Sequence, residues 1–276
     1  MQAADRRRYT APEGAQPLTY ASTSKSTSSR SAPAATSSSK RSDDRKPDQV
    51  RPIFLQPGLV TEAAGSAYIE AGRTKLICAV YGPKPTALST AFNPKAKLNV
   101  EVKFAPFSSG VRRFVPGKDT EASTLAATLH QSLLPSIILE TMPKSQIDLF
   151  VTILESDGWD GDVSMATTAA SVALAEAGIQ MYGLTIGMCA ASHPAFPAST
   201  PLLDPTRDEA AESSSFFSIA LMPALGSVTN LRLTGTIDPA TLEIVLEKCL
   251  QVSKGLHGVA RQALVQSAEK EEAERA

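Results

Sequence analysis

The 276-residue chain has no surplus of either charge, with 27 Lys and Arg against 28 Asp and Glu. Bulk electrostatics therefore do not draw it to nucleic acid, and any RNA or DNA contact has to come from a local patch. It has no run of about 18 apolar residues of the kind that spans a membrane, and no apolar stretch follows Arg6, Arg7 and Arg8 as it would in a secretory signal. The expected setting is the cytosol or nucleus, with no membrane partner. Cysteine is scarce: Cys78, Cys189 and Cys249 lie far apart, without a Cys-x-x-Cys pair, and the three histidines are equally scattered. That pattern excludes a disulfide framework and a structural zinc site. Large aliphatic side chains are nearly missing from the first 50 residues, where Met1, Leu18 and Val50 stand among ten serines. Ordering 50 residues costs on the order of 75 kcal/mol, at roughly 1.5 kcal/mol each, while burying one leucine returns about 2 kcal/mol. Residues 1–50 are thus expected to be a disordered, Ser-rich basic tail. Its nine basic and five acidic residues leave it net +4, and 18 basic against 23 acidic residues leave the remainder net −5. The arginine run suits RNA contact, a localisation signal or simple solvation.

From Arg51 onward the chain changes to short apolar runs bounded by turn residues. Residues 53–55, 67–70 and 75–80 read as strands, the last two joined through Ala71-Gly72-Arg73 as a hairpin. Residues 97–104 alternate strictly, with Leu98, Val100, Val102 and Phe104 on one face and Lys97, Asn99, Glu101 and Lys103 on the other, which predicts a half-buried strand. Asp119 is placed to cap a helix that carries Leu125, Leu129 and Leu133 on one side. Residues 146–154 suit a strand covered on both faces. A helix of small residues is predicted over 163–177, stopping at Gly178. Strands are predicted over 184–191, 216–222 and 228–233, with a polar loop after the first. Asp238-Pro239 then opens a long helix with an apolar face through Leu242, Val245, Leu246, Cys249, Val252, Leu256, Val259 and Ala263. The expected fold is a single α+β domain of mixed sheets packed with helices over residues 51–268, with a charged C-terminal end at 269–276.

Several segments carry a family resemblance. They are Gly65-Ser66-Ala67-Tyr68-Ile69-Glu70 with Thr74-Lys75-Leu76-Ile77-Cys78-Ala79-Val80, Phe104-Ala105-Pro106-Phe107, Leu154-Glu155-Ser156-Asp157-Gly158, and the helix from Ala169 to Gly178. In this order and spacing the chain resembles the RNase PH family, the fold of bacterial phosphorolytic exoribonucleases and of the ring subunits of the eukaryotic RNA exosome. Leu202-Leu203-Asp204-Pro205-Thr206 and Ala177-Gly178-Ile179-Gln180-Met181-Tyr182 look most like the messenger RNA transport regulator type of ring subunit. The resemblance implies an RNase PH-like domain of the ribosomal protein S5 domain-2 type. It also implies partners: other RNase PH-like subunits paired as heterodimers in a pseudo-hexameric ring, S1/KH cap subunits, and RNA. Nuclear, nucleolar and cytoplasmic RNA processing and decay, ribosomal RNA included, would be the setting.

Active relatives hold inorganic phosphate with a Gly-Thr-Arg run at a helix N-terminus, where amides, dipole and guanidinium all favour an anion. The resemblance maps that run onto Gly161, Asp162 and Val163, so the arginine is replaced. Losing its charge-assisted hydrogen bonds, each worth about 1.5 to 3 kcal/mol, weakens phosphate binding by several hundredfold on the order of, and Asp162 reads best as an acidic helix cap. Asp204 matches the first of the family's paired aspartates, but six residues on stands Ala210, with Asp208 and Glu209 nearby. Asp204 therefore reads as a turn residue. Of the family's Asp-Gly-Arg-Arg entry sequence only Asp48-Gln49-Val50-Arg51-Pro52 remains. The expectation is a non-catalytic ring subunit without catalytic, metal or cofactor residues. The alternatives are an active phosphate-dependent 3'-to-5' exoribonuclease and an unrelated small-molecule enzyme. The last has no Gly-rich nucleotide loop or Ser/His/Asp set to support it. Lys103, Arg112, Arg113 and Lys118 form a basic patch where family members line the ring pore, and they are the expected RNA contacts, a solvated loop being the other reading. Trp159 suits a stacked base, a core position or a subunit contact. His130, His193 and His257 suit ordinary surface or core positions.

Overall fold

The computed structural model describes residues 41, 43, 45–86, 92–109, 120–194, 196 and 200–275. Five strands form a first sheet: β1 (Ile53–Pro57), β2 (Gly65–Ala71), β3 (Thr74–Pro85), β4 (Lys97–Phe104) and β5 (Ser145–Glu155). Their spatial order is β1-β2-β3-β5-β4, antiparallel except for the β4–β5 pair. A parallel pair needs a crossover, and α1 (Thr120–Leu133) supplies it, with Leu125, Leu129 and Leu133 fully buried. The alternation expected over residues 97–104 is present as β4. Asp119, the expected cap of α1, lies outside the described residues.

β5 departs from expectation. Ile147, Leu149, Val151 and Ile153 are buried, whereas the opposite face is only half-covered, Phe150 resting edge-on against Tyr81 with ring centroids 5.7 Å apart. Ile, Leu and Val at every second position supply one buried face. Asp148 and Thr152 on the other keep it toward water.

Helix α2 (Trp159–Glu176) is the centre of the molecule, buried on all sides from Gly161 to Leu174. It packs against β2 and β3 of the first sheet and against β6 (Ile186–Ser192) and β8 (Ser215–Met222) of a second one. That sheet runs β7-β6-β8-β9, all antiparallel, with β7 at Leu202–Leu203 and β9 at Ser227–Gly235. The small residues of α2 allow close approach on two sides. A Cβ on Gly65 would lie 2.3 Å from the Ala173 carbonyl oxygen, and one on Gly187 would lie 2.2 Å from that of Ser164. Positions 164 and 173 are nine residues apart, which at about 100° per residue puts them on opposite faces of the helix.

The short helix α3 (Arg207–Glu212) and β7 stand where a polar loop was expected. The long helix α4 (Pro239–Arg275) continues through position 268, so the expected charged end is the last turns of a helix. Its buried stripe follows Val245, Cys249, Ser253 and Ala260, while Val259 is 45% exposed. A regular three-and-four spacing drifts around a 3.6-residue helix, and Ala260 has turned inward by the sixth turn. No described helix is long and apolar enough to cross a membrane. The tail boundary expected at residue 50 moves back, because Arg41 is buried and the Leu203 amide donates to the Pro47 carbonyl.

Candidate functional site

The N-terminus of α2 is where the resemblance maps the anion site of active relatives, and two backbone features shape it. Gly158 has a φ of 129°, a conformation suited to glycine, and starts the helix four residues before the expected position at Val163. Facing this end, Asp204 follows β7 with a φ of 49° and is 2% exposed.

Arg51 joins the two. Its Nε donates to Asp204 Oδ2 at 2.8 Å, its Nη2 to Asp204 Oδ1 at 2.6 Å, and its backbone amide to Oδ2 at 2.9 Å. Its Nη1 donates to Asp157 Oδ2 at 2.9 Å. A Cβ on Gly161 would lie 3.2 Å from Arg51 Nη2, so the guanidinium sits directly against the first turn of α2. A cation there is opposed by the helix dipole. The carboxylates of Asp157 and Asp204, with Asp160 and Asp162 inside the first turns, offset that opposition.

Two more arginines complete the cluster. Arg45 Nη1 donates to Asp204 Oδ2 at 3.5 Å. The wholly buried Arg41 side chain grips Glu209 through Nε and Nη2, at 2.9 and 2.8 Å, and donates to the carbonyl oxygens of Leu203 and Asp204 at 2.9 and 2.8 Å. Glu209 is held in turn by a capping box in which its carboxylate accepts from the Thr206 amide at 2.9 Å.

Burial pushes the Asp204 carboxyl upward, but the hydrogen bonds and charge of Arg51 outweigh it and hold the group below the ordinary carboxylate range. Asp157 is shifted the other way: burial raises it, against the pull of Arg51 and Arg73. Burial also raises Asp160, opposed by Arg232. The Cys189 thiol, 3.8 Å from Asp204 Oδ1, is pushed well above its usual value by burial first and by Asp204 second.

These positions correct two expectations. Asp162 is not the cap of α2. It is fully buried within the helix and accepts a short hydrogen bond from Ser156 Oγ. Asp204 does occupy a turn, but as the centre of an ion-pair network. Val163, which the resemblance aligns with the arginine of active relatives, is 2% exposed in the main hydrophobic core. Trp159 opens α2 with its ring covered by the Arg232 guanidinium at 4.0 Å, so that face is taken within the chain. His193 stands 3.3 Å from Glu212. Among the described residues no three His, Cys, Asp or Glu side chains converge as a metal cage.

Of the expected RNA contacts, Lys103 lies on β4, exposed and 2.8 Å from Glu101. Arg112, Arg113 and Lys118 lie outside the described residues. Sequence reasoning did not assign roles to Arg41, Arg45, Arg51 and Asp157. The Thr206-x-x-Glu209 capping box was a readable sign of α3, whereas nothing local in the sequence tells an arginine in a turn-rich stretch that it will be buried.

The domain is a two-sheet α+β fold wrapped around one helix, with a cluster of buried, paired charges at the N-terminus of that helix. Residues 49–180 match the 3' exoribonuclease family, domain 1, RNase PH. The chain is 36% identical over 247 residues to the exosome complex component MTR3 of Homo sapiens, covering 81% of this chain and 86% of that protein. It is 34% identical over 229 residues to the exosome complex component RRP41-like of Arabidopsis thaliana, covering 83% and 85%. The crystal structure of rice (Oryza sativa) Rrp46 superposes with a TM-score of 0.70 at 24% identity, over 81% of this chain and all of that one. A chain of an archaeal exosome core superposes at 0.64 and 17% identity, over 80% and 91%, a likeness of fold alone. The protein belongs to the RNase PH family.

Proposed function

We propose that the protein is a non-catalytic, architectural subunit of an RNA exosome core ring. It would pair with other RNase PH-like subunits, sit beneath S1/KH cap subunits, and support 3'-to-5' RNA processing and decay in the nucleus, nucleolus and cytoplasm. The names of its relatives support the ring, and one observation supports the loss of catalysis. Asp204 has four hydrogen bonds from Arg51 and Arg45 on its two oxygens. Committed to these bonds it is not a free metal ligand, and with its pKa held low it has no proton to donate near pH 7. Val163 adds no cation at the phosphate position.

The test is degradation of a 3'-tailed RNA by the purified chain in phosphate buffer, with and without magnesium. No turnover is expected. Phosphate-dependent release of nucleoside diphosphates, persisting after removal of contaminating nucleases, would establish the active exoribonuclease instead. Co-purification with other RNase PH-like chains tests the ring assignment separately.

A further inference from the structure

The segment that leads into β1 makes an unusual set of contacts for a chain end. Three arginines within eleven residues, at positions 41, 45 and 51, all turn toward one short stretch of chain, from Leu203 to Glu209, and toward Asp157. The Arg41 and Arg51 side chains are nearly wholly buried, at 0% and 6% exposure. The carboxylates that meet them are also sheltered, at 3% for Asp204, 10% for Asp157 and 11% for Glu209. Buried ion pairs of this kind add little net stability over apolar packing, yet removing one partner is costly. They serve well to fix one arrangement of the chain.

We infer that the segment carrying Arg41, Arg45 and Arg51 forms a latch, closed by Arg51 against the N-terminus of α2, which shields Cys189 behind it. The geometry gives each part of the latch a task. The fork of Arg51 is filled by Asp204 on one side and Asp157 on the other, so a phosphate approaching α2 meets a guanidinium already committed and two carboxylates that repel it. Arg41 fastens the start of the segment to α3 through Glu209. Cys189 lies on β6 with its Sγ 3.8 Å from both Asp204 Oδ1 and Ser164 Oγ, so reagent reaching it from the mouth of the pocket must displace Arg51. The inference stands on contacts within this chain and is independent of ring membership.

Thiol labelling reads the latch directly, since all three cysteines are buried and two of them lie elsewhere. Full-length protein is treated with N-ethylmaleimide and the rate at each cysteine is followed by mass spectrometry. In Arg51→Ala, Cys189 is expected to label at least about tenfold faster than in the parent, with Cys78 unchanged, because a tenfold change needs only 1.4 kcal/mol of local opening. Dilute guanidinium chloride, below denaturing strength, is expected to restore protection by refilling the fork between Asp204 and Asp157. Methylammonium chloride, a cation without the planar fork, is not. Unchanged Cys189 labelling overturns the latch, and so does a parallel rise at Cys78, which reports general unfolding. Should Arg51→Ala not accumulate as folded protein, Asp157→Asn removes one grip of three. It should give a smaller rise at Cys189 alone, and no rise there overturns the inference as well.

Discussion

The two halves of helix α2 are held by different physics. From Ser164 to Glu176 the helix meets its surroundings through backbone, small side chains and the hydroxyls of Thr168 and Ser171, which accept from the Gly187 and Thr185 amides, and at Gly65 and Gly187 the approach is so close that no side chain fits. At its N-terminus the neighbours are charged: Arg51, Asp157, Asp160, Asp162 and Asp204, all sheltered from water. The first half tolerates no added volume and the second no unpaired charge. Shape specifies the body of the helix, and charge balance specifies its mouth.

The largest effect should come from unbalancing the mouth. Asp204→Ala leaves the Arg51 guanidinium buried with Asp157 as its remaining carboxylate, and breaking a buried pair in this way costs about 3 to 5 kcal/mol. A large drop in chemical denaturation midpoint, or failure to fold, is expected. A midpoint within error of the parent would mean that the cluster is wetter than its burial indicates, and the contrast between the two halves would collapse.

Next comes the body. Gly187→Ala forces a methyl to within 2.2 Å of the Ser164 carbonyl oxygen, a backbone atom that cannot swing aside. Overpacking of this sort costs about 1 to 3 kcal/mol, more where backbone must move. Gly65→Ala, facing Ala173 at 2.3 Å, should cost a similar amount. Because the two sites press on opposite faces, thermal denaturation of the double variant measures their coupling: near-additive losses are expected if α2 cannot slide to relieve both.

Acid should separate the halves more gently. The folded pKa of Asp204 is depressed, so its contribution is complete above the unfolded value near 4 and is lost as pH falls through the folded value. Asp157 and Asp160 are raised by burial, so their contribution has the opposite sign: present at low pH and lost as pH rises through their folded values. Arg51 stays charged throughout this range. Asp160→Asn should therefore leave the melting temperature unchanged or slightly higher at pH 7 and remove that gain in acid. A clear loss of stability at pH 7 would show that the pairing of Asp160 with Arg232 outweighs its burial.

The contrast also explains what could be read from sequence. Periodicity found the body of the fold: β4 begins and ends at the expected residues, and Leu125, Leu129 and Leu133 point inward as their spacing requires. Burial by regular alternation leaves a trace along the chain. The mouth leaves none, because Arg41, Arg51, Asp157, Asp204 and Glu209 come from three separate stretches and are ordinary surface residue types in each. Pairing across more than 150 positions turned Asp204 from a turn residue into the centre of a network. The family resemblance pointed to the N-terminus of α2, but not to what fills the space there. Asp162 was misread for a local reason: an acidic residue just before a run of Ala, Ser and Thr looks like a cap, while the true start depends on the φ of Gly158.

The smallest effect is expected where charge is exposed. Lys103 and Glu101 sit two residues apart on edge strand β4, with side chains 57% and 53% exposed and 2.8 Å between Nζ and Oε1. Water and salt screen such a pair, and holding two long side chains in one geometry consumes most of the gain, so Lys103→Ala should alter stability by no more than about 0.5 kcal/mol. The same substitution tests the expected RNA contact without confusion from unfolding. If RNA backbone passes this strand in an assembled ring, losing one lysine should weaken binding alike for all sequences and reduce the slope of log affinity against log salt by about one. An unaltered slope, with the ring intact, makes Lys103 a solvated residue. The charges that matter in this subunit would then be the buried ones around Arg51.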